Sequence, residues 1–181
     1  MASIYSRELK NNVIKIRPKL FVNNFIPNGL QTLIEEKVPS GHYILGVTYS
    51  TGDSQICISG HPKEEETLLQ GLKREIKEEL ALSCRKDIKE YKKIGINSFY
   101  YSNISDMKID VCVEKNTKKD LNHRVVVCIH GAEKDILSYL AKVNYIEEFN
   151  EDQIRAIYAI RKENLISYLQ TKSFSKLYID I

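Results

Sequence analysis

Short runs of alternating apolar and polar residues mark out a series of strands along the chain. Residues 42–49 and 55–59 are β-rich and are separated by residues 50–54, whose Ser, Thr, Gly and Asp read as a turn. Residues 94–101 and 108–114 predict a hairpin around 102–106, and residues 124–130 and 154–160 predict two further strands. A helical period replaces alternation elsewhere. Leu69, Leu72, Ile76 and Leu80 form one apolar stripe, residues 134–143 place Ile136, Leu137 and Leu140 inward, and residues 161–170 bury Leu165, Ile166 and Leu169. Nearer the N-terminus, residues 13–16 and 19–22 are β-prone, and residues 29–36 predict a short helix ending near Val38 and Pro39. Residues 1–40 read as an N-terminal extension that supplies an edge strand, a cap over a cleft, or plain packing. The alternation of elements predicts an α/β protein, with helices on a mixed β-sheet, in a single domain spanning 1–181.

The helix predicted after residue 66 carries an unusual charge pattern. Glu75, Glu78 and Glu79 stand at i, i+3 and i+4, so a helix places them on one side, where their oxygens can converge on hard cations. Like charges so close repel one another unless a cation lies between them. The apolar stripe is offset from this carboxylate side, so the helix has a core face and a chemistry face.

The spacing of the whole segment is Gly60, five residues, Glu66, seven residues, Arg74-Glu75-Ile76, one residue, Glu78-Glu79, one residue, Ala81-Leu82. It resembles the box of the Nudix hydrolases, with one departure, Ala81 where that family usually has Gly. The strand, turn, strand, loop, helix order around the box is also similar. The resemblance covers residues 60–82 sharply and the rest of the chain loosely.

This resemblance implies a Nudix-type α/β/α sandwich and a metal-dependent pyrophosphohydrolase. The implied reaction opens the diphosphate of a nucleoside diphosphate linked to another group, with Mg2+ or Mn2+ as cofactor. Glu75, Glu78 and Glu79, with Arg74 beside them, are the implied catalytic set. Glu78 and Glu79 are implied metal ligands, and Glu75 is a further ligand or the group that orients or deprotonates the attacking water. The backbone carbonyl before the box glycine commonly joins them, and here it belongs to Ser59, where Gly is usual. Gly60 and Glu66 take structural roles, Glu66 through an ion pair with Arg74 that ties loop to helix. Arg74 also sits beside Glu75 and can orient it through charge-assisted hydrogen bonds. An additional acid from beyond the box is common in the family. Glu148 is the candidate taken, with Glu147, Glu151, Asp110 and Glu114 as competitors.

Composition adds bounds rather than chemistry. A chain of 181 residues is long enough for one adequate core, and a formal charge of +3 does not by itself announce a nucleic-acid binder. Basic residues gather at 7–19, 85–93 and 115–119. They are scattered solvated lysines or, if they converge near the carboxylates, a guide for a polyanion. The four cysteines form no Cys-x-x-Cys pair, which argues against zinc and for a reduced, cytoplasmic setting. The chain offers no membrane-length apolar run. Phe99, Tyr100 and Tyr101 form an aromatic run that either stacks on a base or alternates into the core. Three functional readings stay open: RNA decapping with capped RNA as partner, a small-molecule pyrophosphatase acting on ADP-ribose, a dinucleoside polyphosphate or a diphosphoinositol phosphate, and a silent nucleotide- or RNA-binding module. A homodimer is a further expectation, with residues 176–181 as a pairing strand.

Overall fold

The computed structural model describes residues 4–8, 13–15, 22–25, 30–49, 53–60, 63–66, 70–71, 74–77, 89–94, 97–104, 107–115, 123–142 and 154–171. The expected 144–152 loop and the 176–181 strand lie outside these residues.

Among the described residues, eleven strands join one sheet. Its centre is β4 (Tyr43–Tyr49), which pairs antiparallel with β11 (Ile154–Arg161) on one edge. Beyond β11 come β1 (Ile4–Glu8) and β2 (Val13–Lys15) at the rim. On the other side the order runs through β10 (His123–Gly131), β9 (Met107–Lys115) and β8 (Asn97–Ile104) to β7 (Lys89–Ile94). A short β3 (Val22–Phe25) lies parallel to β5 (Asp53–Ile56), and this pair makes the sheet mixed.

Side-chain alternation divides the interior into two layers. Ile44, Tyr158, Ile160, Ile4 and Cys128 form one cluster with Leu33, Ile34 and Val38 from α1 (Leu30–Lys37) and its exit. Leu165, Tyr168 and Leu169 of α4 (Lys162–Thr171) complete it. Tyr43, Leu45, Val47, Ile157 and Ala159 are buried at the alternate positions. There α3 (Glu133–Lys142) packs, burying Ile136 and Leu140, and Tyr5 and Arg7 of β1 reach it through Glu133 and the Leu140 carbonyl. Helices thus flank both faces of the sheet, an α/β arrangement. Full burial of one such Ile or Leu contributes about 1.5–3 kcal/mol, so these layers dominate the stability of the fold.

Between β4 and β10 the sheet parts like a wedge. The two strands pair only at Ile44 with His130 and at Tyr43 with Gly131. Where they touch, His42 Nδ1 lies 3.1 Å from His130 Nδ1, and the Lys162 N–H donates to the His42 carbonyl at 2.8 Å. Past that junction β5 follows β4, while β6 (Ile58–Gly60) follows β10. The chain changes partner at Cys57, buried completely and with φ of 64°. An L-residue there costs roughly 1–2 kcal/mol, so the one long strand expected over 55–59 is two strands hinged on a cysteine. Gly46 of β4 is needed for a different reason: the Tyr158 ring lies where a Cβ would project, and its hydroxyl donates to the Gln55 carbonyl at 2.9 Å.

Candidate functional site

The wedge delivers the chain to the box. Ser59 and Gly60 end β6, in register with Val126 and Val125 of β10, so the start of the loop is fixed by sheet pairing. Within the loop, the Glu66 N–H donates to the Lys63 carbonyl at 3.0 Å, and the Lys63 N–H returns a bond to Glu66 Oε1 at 2.8 Å. This closes a turn through the exposed Glu64 and Glu65. Glu66 therefore braces its own loop before it meets any other element.

Residues 70–71 and 74–77 are helical, and we call this stretch α2. Ile76 is fully buried and Gly71 is buried too, while Lys77 is exposed, as an amphipathic helix with one face turned inward requires. Arg74 sits between the helix and the loop. Its Nε donates to Glu66 Oε2 at 2.8 Å and to Oε1 at 3.0 Å, and its Nη2 donates to Oε1 at 2.9 Å. Its Nη1 reaches Glu75 Oε1 at 3.2 Å. One planar guanidinium thereby holds the loop carboxylate and the helix carboxylate at once, which a point-charge ammonium cannot match.

Electrostatics follow from this contact list. Hydrogen bonds from Arg74, and next the Lys63 N–H, hold the Glu66 carboxyl down at about 2, from an ordinary 4.5. Glu75 is 8% exposed, an unusual place for a carboxylate and one that needs a cationic neighbour. Arg74 supplies that neighbour.

The structure brings together Glu66, Arg74 and Glu75, and it places Ser59 and Gly60 on the strand that feeds their loop. Glu78, Glu79, Glu148 and His61 lie outside the described residues. Among the described residues, no three His, Cys, Asp or Glu side chains converge as a metal site. The donors that are described, the Glu75 carboxylate and the Ser59 carbonyl, are hard oxygens that suit Mg2+ or Mn2+ rather than a soft metal. Spacing alone gave no sign of the Lys63 turn, because both of its bonds start from backbone N–H groups that every residue but proline carries. No helix among the described residues is long and apolar enough to cross a membrane. Comparison with protein-family models, with curated proteins and with solved structures finds no match to this chain.

Proposed function

We propose that this protein is a Nudix-type pyrophosphohydrolase that cleaves the diphosphate of a nucleoside diphosphate linked to a second group. The observation that carries the reading is the double grip of Arg74 on Glu66 and on the nearly buried Glu75. Such a grip positions a carboxylate for work at a defined point, since reactivity falls sharply when a reacting group shifts by an ångström. Glu75, Glu78, Glu79 and the Ser59 carbonyl would hold the divalent ion. The chemistry that Mg2+ or Mn2+ supplies when bound is acidification of a water and neutralisation of the leaving phosphate oxygens. Glu75 orients or deprotonates that water, and Arg74 acts as a positioning residue through it. Glu66 keeps the loop at a fixed distance from the helix. The sandwich of helices on a mixed sheet is compatible with this assignment and supports it only as a fold class.

A metal-dependent hydrolysis screen tests the reading, using capped RNA, ADP-ribose, nucleoside triphosphates, diadenosine polyphosphates and diphosphoinositols with Mg2+ or Mn2+. Release of a phosphorylated product from one class is the expected result, and Glu79→Gln should abolish it while the protein keeps its melting temperature. The catalytic assignment is falsified if purified Glu79→Gln turns over at the wild-type rate. Ligand retention without product in every metal would instead identify a silent binding module.

A further inference from the structure

The two halves of the sheet meet directly at few points. Among the described residues, β4 and β10 pair at Tyr43 with Gly131 and at Ile44 with His130, and at no other rung. Beyond these rungs β5 keeps to β4 and β6 keeps to β10, with the bend at Cys57 between them. Beside the same rungs lies a pair of imidazoles. His42 immediately precedes β4 and reaches diagonally across the ladder to His130. The ring centroids are 5.3 Å apart with planes at 48°, and the two Nδ1 atoms stand 3.1 Å apart. His130 is fully buried and His42 half-buried. The bond from the Lys162 N–H to the His42 carbonyl anchors one backbone, and the ladder to β9 anchors the other.

Imidazole chemistry limits what this contact can carry. A hydrogen bond between two ring nitrogens needs one N–H and one bare nitrogen, and a charged imidazole bears an N–H on both of its nitrogens. One ring of the joined pair must therefore be neutral. With both rings charged, two N–H groups point at each other over 3.1 Å and two like charges face where salt screens them little. We propose that His42 and His130 form an acid-released latch that holds β4 to β10. Joined, the pair admits one added proton; parted, it admits two, one from water on each ring. The parted state binds more protons, so acid favours it, and the joined state gains as pH rises. Free histidine titrates near about 6.5, which sets the range. The charged groups on the surrounding elements are Lys162 and Glu163 of α4, Arg161 of β11, Glu35, Glu36 and Lys37 of α1, and Lys108 opposite His130 on β9. Glu163 is engaged by the Gly41 N–H and by Arg161. Glu133 and Asp135 begin α3 after the last rung, Glu133 bonded to Tyr5. Cys128, Tyr158 and Tyr168 are further titratable groups in the layer shared with α1 and α4. Side chains of these other types ordinarily titrate away from the histidine range, so a change of charge within it belongs to the imidazoles. Because β6 travels with β10, parting this junction also moves the strand that feeds the box loop.

Two measurements on the full chain test the latch. Long-range imidazole nitrogen NMR spectra at about pH 8, where free histidine is neutral, should show one of the two Nδ1 atoms protonated and the other bare. Amide hydrogen exchange at residues 43–44 and 130–131, corrected for the intrinsic rate, reads the opening of the junction. The opening equilibrium should rise by about tenfold for each pH unit below about 6.5, the slope that one extra proton in the open state produces. His42→Gln places beside His130 an amide that can donate or accept, so the acid rise should vanish at these residues. Two bare or two protonated Nδ1 atoms, or a wild-type profile that stays flat, would each overturn the proposal. So would an undiminished rise in the folded His42→Gln variant, since burial of His130 alone would then account for it. Should that variant fail to fold, the spectra decide alone. Neither measurement involves metal or turnover, so the hydrolytic reading stands or falls separately.

Discussion

Arg74 faces two carboxylates, Glu66 across the loop and Glu75 on its own helix, whereas Arg7 lies 4% exposed beneath the sheet with quite different company. Arg7 donates from Nη1 to the carbonyl of Leu140, near the C-terminus of α3, and its buried Nε meets no acceptor. The negative end of the α3 dipole favours a cation there. That support is diffuse, while the support around Arg74 is directional and shared among several oxygens. A charge held by directional partners fixes the positions of other groups. One merely tolerated near a helix end fixes little and carries a desolvation cost that its single bond offsets in part.

The comparison can be pressed hardest at Arg74. Arg74→Lys keeps the charge but loses the fork, and under the proposed chemistry kcat should fall by about 100-fold, the scale expected when a reacting group is displaced. Steady-state rates on the substrate found by the screen check this, and a loss below about threefold would mean that the fork does not set the site. On the sheet beneath Arg7, sterics rather than charge should dominate. Gly46→Ala drives a methyl into the Tyr158 ring and should cost about 1–3 kcal/mol in urea unfolding. Arg7→Met keeps the packed stem and removes the incompletely bonded charge, and stability should change by less than about 1 kcal/mol. A much larger loss would show that Arg7 is as firmly engaged as Arg74.

The smallest effect is also the most specific to the box loop. Because Glu66 titrates lower in the folded protein than when unfolded, its ionised form favours folding. That contribution is complete above the ordinary value of 4.5 and fades as pH falls toward about 2. The gap in melting temperature between wild type and Glu66→Gln should therefore be constant above pH 4.5 and close between there and about pH 2. A gap that ignores pH in this window would show that the pair with Arg74 contributes nothing to stability.

Alternation and helical period made much of the fold legible in the sequence. The strands around 43–49, 97–104, 107–115, 123–131 and 154–161 carry ordinary apolar alternation, and α1, α3 and α4 show their buried faces plainly. Strand β1 escaped because Ser6 and Arg7, polar by type, are 2% and 4% exposed, so its pattern does not look buried. Strand β7 escaped because its lysines read as a basic cluster rather than as an edge, although charged rims are how sheets avoid pairing with strangers. The break at Cys57 had no signal, since a left-handed cysteine is set by its surroundings and not by its own preference. At the candidate site, carboxylate spacing pointed to the helix. The burial of Glu75 and the turn closed by Lys63 depend on where the sheet delivers the loop, which no local pattern encodes.

The hinge at Cys57 also limits how this molecule can change its length over generations. From that hinge to Gly60 the chain is committed to the β10 ladder, residue against residue. One inserted or deleted amino acid there would invert every following side chain. It would also carry the start of the loop, and with it Glu66, off its mark. Length variation should therefore be purged between residues 57 and 60, leaving a ruler of fixed size inside an otherwise adaptable scaffold.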